Sequence, residues 1–162
     1  MKLVLMSDSH YNKESIERVR KKYPDIPVKV HCGDILMPPE KMKDFIAVGG
    51  NMDFFFDYPF EQTLDIDSFH ILIKHGHDLF PGSFPDYRGL ADYAKQCGFN
   101  AVFFGHSHAY YDGEIDGVRL LNPGSVWRTR DNSPCTYMIV HIENGIMWAE
   151  RHIAADLFLE EI

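Results

Sequence analysis

The chain has 162 residues with 45% hydrophobic and 14% aromatic content, enough for one compact domain with a true core. Its 16 basic and 24 acidic residues leave a formal charge of −8, which argues against long nucleic acid as a partner, because that partnership needs clustered Lys and Arg. Cys32, Cys97 and Cys135 are odd in number and lack zinc-type spacing, so no disulfide framework is expected and a reducing cytoplasm is the natural setting.

Leu3 to Met6 is an apolar run suited to a buried strand, and it is too short for a signal-peptide core. No stretch approaches transmembrane length, so the expectation is a soluble, cytoplasmic protein with no membrane partner. A helix follows, with Asn12 as its cap and Ile16, Val19 and Tyr23 on one face, ended by Pro24. Val28 to Cys32 reads as a second strand. Pro38 and Pro39 open a short helix through about Lys43, and Phe45 to Val48 reads as a third strand. Strand and helix alternating in this way is the βαβ signature of a parallel sheet.

Phe60 to Ile66 and Phe69 to Lys74 read as strands around an Asp67-Ser68 turn. A loop from Leu79 to Pro85 leads into a helix near Tyr87 to Cys97, with Leu90, Ala94 and Cys97 sharing a face. Ala101 to Phe104 is another buried strand. Asp116-Gly117 and Asn144-Gly145 then mark two hairpins. The expectation is one α/β domain over residues 1–162, with two packed sheets and helices outside.

The polar residues fall at the ends of the apolar runs. Asp8 and His10 follow the first strand, Asp34 the second and Asn51 the third; His75 and His77 follow the 69–74 strand, and His106 and His108 the 101–104 strand. In α/β sheets, ligands bind beyond the carboxyl ends of strands, so five strand ends point carboxylate, amide and imidazole toward one place. In Asp8-x-His10 and His106-x-His108, residues i and i+2 lie on one side of an extended segment. Gly33, Gly50, Gly76 and Gly105 sit beside these residues, where glycine permits tight turns and close approach. A donor set without thiolate suits manganese, iron, zinc, cobalt or nickel.

Asp8-Ser-His10, Gly33-Asp34, Gly50-Asn51, His75-Gly-His77 and Gly105-His106-Ser-His108 resemble, in order, the motifs of the calcineurin-like metallophosphoesterases. Asn122-Pro-Gly-Ser125 resembles a further motif of their small YfcE-like phosphodiesterase branch. The resemblance implies a four-layer αββα sandwich, two mixed β-sheets packed face to face and flanked by helices. It implies two divalent cations, manganese first, with Asp8, His10 and His108 on one, Asn51, His75 and His106 on the other, and Asp34 bridging. Such a pair sits roughly 3.5–4 Å apart and delivers a bridging hydroxide in line to phosphorus. The implied activity is hydrolysis of small phosphodiesters, with Asp34, Asn51 and His77 in catalytic positions. One departure stands out. Many relatives carry His after the motif Asn and the YfcE-like group usually Cys, whereas this chain carries Met52. Methionine donates no proton, so activated or aryl diesters are the expected substrates.

The remaining features have plainer readings. His31, His70, His141 and His152 read as surface or hydrogen-bonded core imidazoles. His77 is a substrate contact or a support for a ligand. Asn122-Pro-Gly-Ser125 is either a tight turn or a loop whose backbone groups orient ligands or phosphate. Arg128 reads as an exposed Arg, although its fork suits phosphate. Of Phe54, Phe55, Phe56, Tyr58 and Phe60, some are expected in the core and others at a pocket or a homo-oligomer contact. Cys32 reads as a small buried hydrophobe. The rival to an enzyme is a non-catalytic metal-binding scaffold like the retromer subunit of the same fold; a nuclease is the third reading, disfavoured by charge.

Overall fold

A computed structural model describes residues 1–80 and 86–159, so positions 81–85 of the expected 79–85 loop lie outside the described residues. The chain runs β1 (Lys2–Met6), α1 (Lys13–Lys22), β2 (Lys29–His31), β3 (Ile46–Ala47), β4 (Glu61–Ile66), β5 (Phe69–Lys74), α2 (Arg88–Gln96), β6 (Ala101–Phe103), β7 (Tyr110–Ile115), β8 (Val118–Pro123), β9 (Thr136–Glu143) and β10 (Ile146–Ile153). Short 3₁₀ turns occupy Pro39–Lys41 and Ala154–Phe158.

The strands form two mixed sheets. In the first, of order β10-β9-β1-β2-β3, the strands β1, β2 and β3 are parallel, β9 is antiparallel to β1 and β10 antiparallel to β9. In the second, of order β4-β5-β6-β8-β7, the parallel strands β5, β6 and β8 carry an antiparallel strand at each edge. Side chains two apart share a strand face. Leu3 and Leu5 therefore meet Ile71, Ile73, Ala101 and Phe103 of the opposite sheet in the central layer. Val4 and Met6 face the other way, onto Ile16 and Val19 of α1. Leu72 and Val102 pack on Leu90, Ala91 and Ala94 of α2. With both faces covered, the inner strands read as unbroken apolar runs, each fully buried Leu or Ile contributing about 1.5–3 kcal/mol. The result is the four-layer αββα sandwich.

Local chemistry accounts for the boundaries. The Asn12 side chain accepts from Ser15 N–H at the start of α1, whose basic last turn of Arg20, Lys21 and Lys22 complements the helix dipole. The expected helix after Pro38 is only a 3₁₀ turn, because the chain bends after Lys41 to bury Met42 and Phe45. Cys97 does not join the buried face of α2. It follows the last helical residue and is exposed, since the chain turns through the left-handed Gly98. The closing 3₁₀ turn gave no sequence signal, yet its Ala154 and Leu157 are buried in the cluster that holds α1. Among the described residues no helix is long and apolar enough to cross a membrane.

Candidate metal centre

Backbone hydrogen bonds join the loop after β1 to that after β2, and the loop after β5 to that after β6. Asp8 N–H donates to Gly33 O (3.0 Å), His10 N–H to Asp34 O (2.9 Å), Tyr11 N–H to Ile35 O (2.9 Å) and Gly105 N–H to His75 O (3.1 Å). Asp8, His10, Asp34, His106 and His108 have φ of 54, 44, 58, 73 and 59°, all in the left-handed region. Each such L-residue costs about 1–3 kcal/mol and persists where its surroundings over-determine it. The Asp-x-His and His-x-His pairs therefore do not converge along an extended segment, as expected from spacing; left-handed turns bring them together. Two glycines allow the close approach. A Cβ at Gly50 would lie 2.1 Å from Asp34 Oδ1, and one at Gly105 2.1 Å from Ser7 Oγ and 2.6 Å from Asp8 Oδ2.

All seven residues expected as ligands face one space. Asp34 Oδ2 lies 3.6 Å from His10 Nε2 and 3.3 Å from His75 Nε2. Asp8 Oδ1 lies 3.3 Å from His108 Nε2, 3.8 Å from His75 Nε2 and 3.9 Å from His10 Nε2. Asn51 Oδ1 closes the ring at 3.1 Å from His75 Nε2 and 3.2 Å from His106 Nδ1. Asp8, Asp34, His75 and His108 are buried, while Asn51 is exposed at the mouth.

The hydrogen bonds around these groups fit them to cations. His75 Nδ1–H donates to Cys32 O (2.7 Å) and His108 Nδ1–H to Arg128 O (2.8 Å). Those bonds leave Nε2 of each ring facing a carboxylate, an arrangement typical of metal-ligating histidine. A lone pair opposite a carboxylate repels it unless a proton or a metal ion lies between. Among the described residues, Asp8 Oδ1 and His10 Nε2 are buried without a hydrogen-bond partner, and an unmet buried polar atom is expensive. Two groups, Asp8-His10-His108 and Asp8-Asp34-His75, each bring their donor atoms within 4.8 Å of one another.

The same crowding shows in the charges. Burial opposes ionisation of Asp8, but His75, His10 and His108 outweigh it and hold the carboxyl well below its ordinary range. Burial likewise opposes Asp34, which the His75 hydrogen bond and charge bring down. Burial would neutralise His75, yet Asp8 and Asp34 raise it to about 9. Without a metal, a proton on that ring occupies the position a cation would relieve. His106 falls to about 4 through burial and then the His75 charge, and His77 is lowered for the same two reasons.

Several supports lie outside the ligand set. Asn122 Nδ2 donates to Gly105 O (3.1 Å) and Ser125 Oγ to Asp8 O (2.7 Å). Of the two readings of Asn-Pro-Gly-Ser, a tight turn or an orienting loop, the bonds favour the second, made with side chains rather than backbone groups on the candidate ligand segments. Trp127 stacks on His10, with centroids 4.2 Å apart at 22°; as one more apolar residue in a tail loop it gave no sequence signal. Asp53, buried at 2% exposure, accepts from backbone amides of the 34–36 and 50 positions. Sequence reasoning gave it no role, and its place three residues after Gly50 was the only cue. His77 stands one ring outward, 5.5 Å from His75 and 6.0 Å from His106 by centroids, with Nδ1 buried and unpartnered among the described residues. The Arg128 side chain is exposed.

The other histidines keep their plain roles. His31 is a buried link to Ser9 and Gly33, and His70, His141 and His152 meet Asp65, Glu150 and Glu150. Cys32 is buried in the central layer. Of the aromatic run none is fully buried: Phe54 and Phe55 are 70% and 83% exposed, Phe56 and Tyr58 half-buried, and Phe60 sets its ring edge against His77. Short chain between the Asp53 anchor and β4 keeps Phe54 and Phe55 outside the core, while Tyr58 packs against its edge.

Residues 1–145 match the family described as the calcineurin-like phosphoesterase superfamily domain. The chain is 29% identical over 147 residues to a probable metallophosphoesterase, YsnB, of Bacillus subtilis (strain 168), covering 89% of this chain and 86% of the relative. It is 26% identical over 183 aligned positions to phosphodiesterase MJ0936 of Methanocaldococcus jannaschii, covering 99% and 100%. Among solved structures, a conserved uncharacterized protein of Streptococcus pneumoniae TIGR4, titled a predicted phosphoesterase, superposes with a TM-score of 0.85 at 26% identity, covering 95% of this chain and 90% of that one. Vps29 from Entamoeba histolytica shares the fold, with a TM-score of 0.73 at 22% identity and coverage of 94% and 99%.

Proposed function

Because the chain belongs to the calcineurin-like phosphoesterase superfamily, we propose that it hydrolyses small phosphodiesters at a pair of divalent cations, manganese first among them. One observation carries the reading. Asp34 Oδ2 faces His10 on one side and His75 on the other, at 3.6 and 3.3 Å, beside an Asp8 oxygen that is buried and unpartnered. On this reading Asp8, His10 and His108 hold one cation, Asn51, His75 and His106 the other, and Asp34 stands between. Asp8 Oδ1 also approaches His75, at 3.8 Å, so the two halves share a wall. When bound, the pair would activate water as the nucleophile and offset charge on the phosphate oxygens.

The protein's own groups do the positioning. Cys32 O and Arg128 O hold the His75 and His108 rings. Ser7 Oγ–H and His106 N–H occupy Asp8 Oδ2, and Met52 N–H occupies Asp34 Oδ1, leaving the second oxygen of each carboxylate for the centre. His77, one ring outward from His75 and His106, would on this reading contact the substrate or support a ligand. A diester carries one negative charge where a monoester carries up to two, so the −8 chain repels it less, and the name of the archaeal relative points the same way. Met52 supplies no proton to the departing alcohol, which favours leaving groups that are stable as anions.

The test is to strip the protein with chelator, reload it with Mn²⁺, Zn²⁺, Co²⁺ or Ni²⁺, and follow bis-p-nitrophenyl phosphate beside p-nitrophenyl phosphate. Metal-dependent turnover, faster on the diester and lost in Asp34→Ala, is the expected result. Bound metal with no turnover would overturn it in favour of a non-catalytic scaffold, the reading that the fold shared with Vps29 suggests.

A further inference from the structure

We infer that Asp53 is the positioning residue of this centre: without touching a ligand side chain, it sets the bridging geometry of Asp34 through backbone amides. The inference rests on the two-cation reading above. Asp53 Oδ2 accepts from Asp34 N–H (2.8 Å), Gly50 N–H (2.9 Å) and Ile35 N–H (3.2 Å), while Oδ1 accepts from Leu36 N–H (2.8 Å) and Ile35 N–H (3.0 Å). A carboxylate offers about four acceptor positions, so four amides saturate it. Hydrogen bonds to an ionised acceptor are stronger than neutral ones.

Those amides belong to two turns that must be held together. Asp34 and Leu36 both have φ of 58°, and successive N–H groups in such a turn form a concavity that suits an anion. Asp53 fills that concavity from within the protein. The clamp is reciprocal: Met52 N–H, beside Asp53, donates back to Asp34 Oδ1 at 2.9 Å. With Oδ1 turned toward Met52 N–H, Asp34 presents Oδ2 to His10 and His75. Gly50 sets how closely the turns approach, and its neighbour Asn51 is thereby fixed at the mouth of the same space. An Asn in place of Asp53 has one acceptor oxygen and turns an N–H₂ toward amide donors, so it leaves part of the cluster unsatisfied in a buried place.

The experiment compares wild type, Asp53→Asn, Asp53→Glu and a core control, Val19→Ala in α1, whose apolar side chain is fully buried in the cluster under α1. Each protein is stripped of metal, its thermal midpoint recorded, and Mn²⁺ titrated by calorimetry and by electron paramagnetic resonance. Wild type is expected to take up two ions and give the spectrum of a spin-coupled pair. Asp53→Asn should weaken the second ion by about 10–100-fold, the usual range for losing a support of a ligand, and give an uncoupled spectrum. Val19→Ala should keep both ions and the coupling despite a lowered midpoint. If Asp53→Asn does not fold, Asp53→Glu decides, since it keeps the charge but moves the acceptors by one methylene. A weakened second ion supports the inference, and unchanged affinity overturns it. Two coupled ions in Asp53→Asn, or equal loss in Val19→Ala, overturns it while leaving the two-cation reading intact. Fewer than two ions in wild type overturns both.

Discussion

Gly105→Ala tests whether the centre depends on backbone approach as tightly as its geometry says. The added methyl would meet Ser7 Oγ at 2.1 Å and Asp8 Oδ2 at 2.6 Å, where ordinary contact begins near 3.4 Å. The overlap is therefore about 1.3 Å and about 0.8 Å, by subtraction from the same distances. Ser7 Oγ and Asp8 Oδ2 are hydrogen-bonded to each other at 2.7 Å, so they must retreat together, and Asp8 Oδ1 moves with them relative to His108 and His10. Forcing a methyl into a packed site costs about 1–3 kcal/mol, or roughly 2–12 °C in the thermal midpoint of a chain this size. The functional effect should be larger, because a misplacement near 1 Å at a reacting centre costs about 10²-fold in rate. The assay is turnover of bis-p-nitrophenyl phosphate by metal-loaded protein, with calorimetric metal affinity and a melting curve on the same preparation. A variant that binds metal as wild type does and turns over within twofold of it would refute the argument, whatever its melting point.

His31 should make the metal-free protein acid-sensitive. Its ring is fully buried, and burial pushes it down to about 3 against the opposing pull of Asp8. Between pH 6.5 and 3 the unfolded chain takes up a proton that the folded ring refuses, so stability falls as pH drops, by roughly 1.4 kcal/mol per pH unit. His31→Gln should flatten that slope in urea titrations at pH 6.5, 5.5 and 4.5; parallel slopes would remove the assignment. Met52→His should raise turnover of alkyl diesters by about 10²-fold, the lower end for a positioned general acid, with little change on p-nitrophenyl esters; equal gains on both would contradict the leaving-group argument. Trp127 lies against His10, so metal titration should change tryptophan emission in wild type and not in Trp127→Phe, whose remaining Trp148 stacks on His141. Persistence of the signal in that variant would disconnect the indole from the centre.

Much of this was legible because candidate metal ligands and buried strands leave opposite traces. Asp8, Asp34, His75 and His106 each follow an apolar run that has to be buried, and a charged or imidazole group there has few structural excuses. The alternation of Leu3 and Leu5 with Val4 and Met6 announced a strand covered on both faces. What the sequence hid depends on backbone conformation and on partners remote in the chain. Glycines seemed the natural carriers of unusual φ, yet Asp8, His10 and His108 adopt it themselves, and nothing in an Asp-x-His spacing says so. Asp53 acts on amides, which every residue has, so no residue pattern marks its target. Asn122 and Ser125 were visible as a turn motif, but their grip on Gly105 and Asp8 spans 17 and 117 positions. Which of the aromatics after Asn51 stand exposed was not legible, because hydrophobicity reports a preference for burial, whereas the short chain between Asp53 and β4 decides that Phe54 and Phe55 stay outside.

The ordering of the sandwich has one more consequence. Asp8, His10, Asp34 and Asn51 come from loops of one sheet, and His75, His106 and His108 from the other. One sheet brings both carboxylates and the other brings three of the four imidazoles, so neither half alone is much of a chelator. On the two-cation reading, cations captured there would rivet the two layers along their shared hem, and their capture would have to wait until the layers had closed on each other. Metal uptake during refolding would then serve as a clock for the docking of the sheets, and chelation would loosen the seam between them before it loosened either sheet.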